Sequence, residues 1–341
     1  MRAARIFEDL SLRVDELAVP VPGPGEVLVR IHAAGVCGTD LHILDGMIKP
    51  DPYPMTIGHE AAGVVEAAGG GARLSPGDRV AVYNKIFCGT CEQCLSGRPN
   101  VCDTEPGQLG FNTDGGDAEY VVVPERNLVP VPPSVDFATA AVLTCAGMTA
   151  VHATKRSGLR LGGTAVVNGI GGVGILVVQA ARAAGARVIA VADSAAKRDL
   201  ALSHGATDGI VIAGAQDYGT LPAQVREITA GRGADVFFEL VGTTETMTAG
   251  VRCLAKGGTF VSTGYTDQPL NIHPIEFILS ETSLVSTVAA ARQDLADALQ
   301  MAASGGMTVP IAGRYRIDGV QDALDALRKR AVLGRQILDL A

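Results

Sequence analysis

Residues 164–194 read TAVVNGIGGVGILVVQAARAAGARVIAVADS. A valine-rich run, a glycine-broken turn, an alanine-rich stretch and a second apolar run predict strand, turn, helix and strand in that order. Two strands joined through a helix need a crossover, so the sheet they enter is parallel. The turn carries G-x-G-x-x-G at Gly169, Gly171 and Gly174, with Gly172 and Val173 completing it. Glycines there let the backbone approach a pyrophosphate, whose charge then lies at a helix N-terminus. The fingerprint alone is weak; the preceding strand, the following helix and the acid closing the next strand give it its required context. That acid, Asp193, falls nineteen residues after Gly174. A carboxylate there accepts hydrogen bonds from a ribose diol and repels a 2′-phosphate, so NAD is expected over NADP. Lys197 and Arg198 pull the other way, since nearby cations tolerate that phosphate; Arg198 counts among the cofactor-binding candidates. Further apolar segments at GIVI, ADVFFEL, GGTFVSTG and TSLVSTV, with helical stretches between most of them, bring the expectation to about six parallel strands in a doubly wound Rossmann sheet.

A chain of 341 residues exceeds one ordinary core, so a second domain is expected. Its formal net charge is −8 and its Lys and Arg residues form no cluster, which argues against a nucleic-acid or anionic-membrane surface. No apolar run reads as long and clean enough to cross a bilayer. The start, MRAARIFEDL, lacks the apolar stretch and cleavage site of a secretory signal, which makes a cytoplasmic location the expectation.

The cysteines are unevenly placed. Four of seven lie in CGTCEQCLSGRPNVC, at Cys88, Cys91, Cys94 and Cys102. In a reducing compartment such a cluster binds metal rather than forming disulfides. Two-residue gaps let neighbouring thiolates converge on one ion, and the seven-residue gap lets the chain return. Four sulfurs describe a closed tetrahedral zinc site, which holds a lobe together and does no chemistry. An iron–sulfur cluster is the competing reading, but the ferredoxin run needs its fourth cysteine three residues on and then proline. Here Asp103 follows.

A second set of donors is scattered. Cys37 lies in AAGVCGTDLHILDG, His59 and Glu60 in MTIGHEAAGVVEAAGG, and Cys145 in AVLTCAGMTAVHA. Two cysteines and one histidine with a vacant fourth position form the pattern of a catalytic zinc. A lone Cys or His in an apolar stretch is also a common core filler.

GHEAAGVVEAAG, SPGDRVAV, the four-cysteine lobe and CGTDLH together resemble the zinc-dependent medium-chain alcohol dehydrogenases, collinearly over essentially the whole chain. The resemblance implies a GroES-like, β-rich catalytic domain over 1–150, an NAD-binding Rossmann domain over 151–286, and a returning segment over 287–341. It implies two zinc ions per chain: a catalytic one on Cys37, His59 and Cys145, with Glu60 as alternate ligand or neighbour, and a structural one in the lobe. It assigns Asp40 to hold the ligand histidine. Thr39 and His42 become a proton relay passing through a cofactor ribose hydroxyl, and Arg335, in VLGRQILDL, a contact of the pyrophosphate. Substrate is expected in the cleft between domains, where hydride passes between an alcohol, or its ketone or aldehyde, and NAD. The resemblance also makes a homo-oligomer, dimer or tetramer, the expected form.

One position departs from the pattern. Where the family commonly reads GGFAEY or GGYAEY, this chain has GGDAEY, so Asp117 replaces an aromatic residue bordering the substrate pocket. A buried, unpartnered carboxylate is costly. Asp117 therefore either faces a polar or cationic substrate or, as the two adjacent glycines favour, turns to solvent in a loop. Tyr265, in STGYTDQ, is a second candidate for the pocket. None of these residues separates a simple alcohol dehydrogenase from a polyol, threonine or hydroxyacyl-type dehydrogenase, or from a carbonyl reductase of the same superfamily.

Overall fold

The computed structural model describes residues 1–330 and 332–341. The chain divides into two compact units, one of residues 1–148 with 289–341 and the other of residues 149–288.

In the second unit, the runs read above as strands form one six-stranded sheet. Its spatial order is Asp208–Val211, Arg187–Ala192, Thr164–Asn168, Ala234–Glu239, Leu254–Ser262 and Ser283–Ser286, with every neighbouring pair parallel. The order reverses between Thr164–Asn168 and Ala234–Glu239. Right-handed crossovers therefore put helices Gly174–Ala183 and Ala195–Ser203 on one face, and Leu221–Ile228 and Thr244–Arg252 on the other. Strands covered on both faces must be apolar throughout, which is why Val166, Ile189, Val191, Phe237 and Phe260 are all buried. The Phe237 and Phe260 rings stack with centroids 5.8 Å apart. Gly250 lets helix Thr244–Arg252 lie on them, since a Cβ there would come within 2.5 Å of Phe237. Cys253, the cysteine outside both clusters, is buried in this core.

The first unit is β-rich. Its main sheet runs Leu128–Pro130, Arg79–Val82, Ala61–Ala68, Glu26–Val36, Arg335–Asp339 and Ile311–Tyr315, with Tyr120–Pro124 also paired to Glu26–Val36. Two features of this sheet place the site. Strand Ala61–Ala68 runs antiparallel to Glu26–Val36 with Ala61 opposite Ala34, so the start of one lies at the end of the other. Strand Arg335–Asp339 joins the same central strand with Gln336 opposite Val36. Three chain segments remote in sequence thus meet at one sheet end.

The structure corrects the membrane reading on one point. Phe137–Arg156 forms twenty continuous helical residues containing an 18-residue window of mean hydropathy 1.3, long and apolar enough by length and composition to span a bilayer. That window is 67% buried inside the fold, and the first part of the helix packs on strand Glu26–Val36, so its apolar faces are already covered by protein. Its hydropathy is that of a core helix.

Candidate active site and dinucleotide turn

At the shared sheet end, Cys37 follows strand Glu26–Val36 and caps helix Gly38–Leu44. His59 and Glu60 immediately precede strand Ala61–Ala68. Cys145 arrives from Leu143–Gly147, a wide π-helical turn between helices Phe137–Val142 and Met148–Arg156. Such turns widen a helix by one residue and re-aim side chains. One donor atom from each of Cys37, His59, Glu60 and Cys145 lies within 4.8 Å of every other.

The surroundings hold these side chains in place. Asp40 accepts the Cys37 N–H at 2.8 Å through one oxygen, and its other oxygen meets His59 Nδ1 at 3.1 Å. That contact leaves Nε2 as the nitrogen available to a metal. Phe111 stands edge-on to the His59 ring, and the Asn84 amide donates to the His59 carbonyl at 3.2 Å. Thr39 Oγ1 is 3.8 Å from Cys37 Sγ, and His42 lies one turn further along the same short helix. Gly35 is required beside this cluster, because a Cβ there would fall 2.0 Å from Glu60 Oε2.

The electrostatics couple these groups. The Cys37 thiol is held well below its usual range, chiefly by the Cys145 side chain with His59 assisting, while the same contact pushes Cys145 well above it. Burial disfavours a charged His59, yet Asp40 and Cys37 outweigh it and raise the ring's pKa. Two sulfurs, an imidazole nitrogen and a carboxylate oxygen converge here within 4.8 Å of one another, and that N/S/O donor set is that of zinc. The residues fit the ion.

Arg335 has a partner that sequence reasoning did not foresee. Its Nη2 reaches both carboxylate oxygens of Glu60 and the Val36 carbonyl, and all three residues are buried. Burial pushes the Glu60 carboxyl up and the guanidinium pulls it back. The resemblance had placed Arg335 at the cofactor pyrophosphate; here its guanidinium is engaged beside the metal donors.

Asp117 also overturns an expectation. It does not turn to solvent: it is 1% exposed, and Oδ1 has no hydrogen-bond partner. Its backbone is tied on both sides, donating to Ile57 O at 3.0 Å and accepting from Ala4 N at 2.8 Å, which pins the side chain inward. A Cβ on Gly58 would lie 2.2 Å from Oδ1, so the carboxylate rests on the backbone just before His59. Burial pushes its carboxyl far up, Asp40 and Glu60 add to the rise, and His59 opposes it.

In the lobe, Sγ separations are 3.8 Å for Cys88–Cys94, 3.9 Å for Cys91–Cys102 and 3.5 Å for Cys88–Cys102. Tetrahedral zinc with sulfur bonds of about 2.3 Å sets its sulfurs about 3.8 Å apart. Disulfides would need about 2.05 Å. Backbone N–H groups of Thr90 and Cys91 donate to Cys88 Sγ, and that of Cys88 to Cys102 Sγ, favouring thiolates. The Thr104 hydroxyl and these amides hold Cys88 down at about 5, whereas burial pushes Cys94 up to about 12. The set fits one zinc ion.

In the second unit, Gly169 adopts φ +99° and begins the turn, while a Cβ on Gly174 would strike the Gly169 carbonyl at 2.0 Å. Both glycines are thus sterically required. Asp193 ends strand Arg187–Ala192 and pairs with Lys197 at 2.8 Å, and Arg198 pairs with Asp199 at 2.8 Å. Both cations that favoured a 2′-phosphate are therefore engaged by carboxylates. Tyr265 is half exposed beside Gly242, whose own Cβ would lie 2.7 Å from the Tyr265 backbone.

Sequence reading also missed a polar hub at the strand ends. Glu239 is fully buried and takes N–H donors from Val241, Gly242 and the Asn168 side chain. The Asn168 Oδ1 in turn accepts the Tyr218 hydroxyl at 3.1 Å. Tyr218 lines a cavity of about 390 Å³ with Gln216, Thr244, Glu245 and Thr248. The signal was present: ADVFFEL puts an acid at the end of a wholly apolar strand, where it must find donors.

A family model described as an alcohol dehydrogenase GroES-like domain matches residues 23–133, and one described as a zinc-binding dehydrogenase matches residues 172–304. An alcohol dehydrogenase of Geobacillus stearothermophilus is 34% identical over 347 residues, which cover 100% of this chain and 99% of the relative. An NAD-dependent alcohol dehydrogenase of Saccharolobus solfataricus is 32% identical over 350 residues, with 99% of each chain covered. Among solved structures, the alcohol dehydrogenase of Aeropyrum pernix matches with a TM-score of 0.91 and 32% identity, covering 99% of this chain and 100% of that one. Matched domains, shared length and shared fold agree: the chain belongs to the zinc-dependent medium-chain alcohol dehydrogenases.

Proposed function

We propose that this protein oxidises an alcohol, or reduces the corresponding ketone or aldehyde, with NAD as hydride carrier and two zinc ions per chain. The observation that carries this reading is the convergence of Cys37, His59, Glu60 and Cys145 within 4.8 Å, apart from a second, all-cysteine cluster. Cys37, His59 and Cys145 would hold the catalytic ion with Glu60 at hand, and Cys88, Cys91, Cys94 and Cys102 the structural one. Catalytic zinc, when bound, supplies a Lewis acid that eases loss of an alcohol proton and polarises a carbonyl. NAD supplies the hydride acceptor.

The chain's own residues do the placing. Asp40 fixes the rotation and tautomer of His59. Arg335 balances the Glu60 charge and opposes the rise that burial imposes on its carboxyl. Thr39 accepts the substrate proton at Oγ1 and passes it toward His42, which delivers it to water. Gly169, Gly171, Gly172, Val173 and Gly174 cradle the pyrophosphate, and Asp193 holds the ribose diol. Arg198 would stand beside it. Screening the zinc-loaded protein with NAD+ against primary, secondary, cyclic and polyol alcohols tests the reading through NADH absorbance; no turnover of any class would defeat it.

Cofactor choice follows from Asp193. Wild type is expected to favour NAD over NADP by at least about tenfold in kcat/KM, and Asp193→Ala to erase most of that ratio. An unchanged ratio in the variant would move the discrimination elsewhere.

Asp117 sets the substrate range. A buried carboxyl group with an unpartnered oxygen suits a substrate that carries a hydrogen-bonding group better than a plain aromatic ring. Asp117→Phe is expected to raise kcat/KM for benzyl alcohol by about 10-fold or more. A rate for benzyl alcohol equal to wild type removes Asp117 from the specificity argument.

Strand Ser283–Ser286 ends its sheet with Leu284 exposed, next to a helix exposing Ile278 and Leu279. An apolar sheet edge of this kind favours pairing, and we infer a homo-oligomer, dimer or tetramer. Light scattering would show a mass above one chain; a monomer at micromolar concentration contradicts it. None of the seven cysteines is joined in a disulfide, which suits a reducing compartment such as the cytoplasm.

A further inference from the structure

Three backbone segments crowd together where strands Thr164–Asn168, Ala234–Glu239 and Leu254–Ser262 end. A Cβ on Gly169 would lie 2.9 Å from Val241 Cγ2, and one on Gly264 would lie 2.2 Å from the Leu240 carbonyl carbon. One buried carboxylate links the segments. Glu239 Oε1 accepts the Val241 and Gly242 N–H groups at 2.7 and 2.8 Å, and Oε2 accepts the Asn168 amide at 3.0 Å. The Glu239 carbonyl accepts from Thr263 and Gly264 at 3.0 and 2.9 Å. Asn168 lies opposite Glu239 in the parallel ladder and directly precedes the turn glycine. The Tyr218 hydroxyl closes the chain on Asn168 from the cavity side.

The strand order reverses between these two residues' strands, and in doubly wound sheets the ligand binds outside the strand ends at that reversal. Among the described residues no cation pairs with Glu239; its partners are N–H groups of the segments flanking the crevice and the Thr246 hydroxyl. A buried network of this kind fixes geometry because each member has one set of donors and acceptors.

We propose that Glu239 is a positioning residue for the dinucleotide, locking residues 240–242 against the 168–174 turn through Asn168, with Tyr218 bracing Asn168. The inference rests on the NAD reading above and extends it to residues outside the metal donors and the fingerprint glycines. Glu239→Gln keeps size and both backbone bonds but turns an amide toward the Asn168 amide, donor against donor. Asn168→Asp alone sets two carboxylates facing each other. Combining the two substitutions restores a donor–acceptor pair and leaves an oxygen for Tyr218.

NADH binding, followed by its fluorescence, tests this on the zinc-loaded protein, with melting temperature and kcat at saturating NAD measured alongside. Glu239→Gln is expected to raise the NADH Kd about tenfold with kcat within about twofold, Asn168→Asp to raise it at least as much, and the double variant to return within about threefold of wild type. Tyr218→Phe, which removes only the outer brace and serves if the hub variants do not fold, is expected to raise Kd about threefold. Melting temperatures that fall while the NADH Kd stays at the wild-type value, a double variant no better than its worse parent, or an unaltered Tyr218→Phe where the hub variants do not fold would overturn the proposal. Wild type that binds no NADH would instead refute the NAD reading itself.

Discussion

Cys145→Ala is expected to purify with one zinc per chain in place of two and to oxidise alcohols at least about 10³-fold more slowly than wild type. Disturbing a group that only supports a metal ligand costs about 10–100-fold in metal affinity or activity, and deleting the ligand itself costs more. The chemistry asked of the ion, stabilising charge on the substrate oxygen, has no substitute among the neighbouring side chains. Asp40→Asn supplies the graded comparison: it loosens His59 without removing a donor, so its loss should stay near the 10–100-fold level. Metal analysis joined to steady-state kinetics checks both. A Cys145→Ala enzyme that keeps two zinc ions and near-normal kcat would remove the π-helical turn from the site.

The second large effect concerns stability. Arg335→Met leaves the Glu60 carboxylate buried, with its cation gone, at the junction of three strand ends. Breaking a buried pair from one side costs about 3–5 kcal/mol, because the remaining charge is uncompensated. Arg335→Met combined with Glu60→Gln should recover much of that loss, since both charges are then absent. Urea denaturation of the zinc-loaded proteins reads the difference, and equal midpoints for the single and double variants would show that the ion pair is not the source. Gly35 makes the same geometry testable by sterics, as its absent side chain is what admits the Glu60 carboxylate.

What could be read from the sequence was local or strictly spaced. The parallel sheet is written in apolar runs such as VVN, VIAVA and DVFFE, each bounded by glycines or an acid, and each became a strand. The lobe is written in two-residue gaps whose geometry is set by zinc. Scattered donors were legible only through the family likeness, because nothing local shows that Ala61 pairs with Ala34 and so brings His59 beside Cys37. The Arg335–Glu60 contact was hidden for the same reason: it joins residues 275 apart through two strand pairings. Asp117 was misjudged because its two adjacent glycines suggested a loop, whereas backbone bonds to Ala4 and Ile57 hold it inside. Hydropathy could not flag the burial of helix Phe137–Arg156 within a protein core, since lipid and core ask for the same residues.

The central claim is that two separate donor sets hold two ions with different duties. Metal content of the purified wild-type chain, measured by mass spectrometry of the acid-digested protein against chain concentration, tests it most directly. The account predicts two equivalents of zinc per chain, with alcohol oxidation lost when the less tightly held equivalent is removed. One equivalent in a fully active enzyme, abolished by substitution in the Cys88–Cys102 lobe and unaffected by substitution of Cys37 or Cys145, would contradict it.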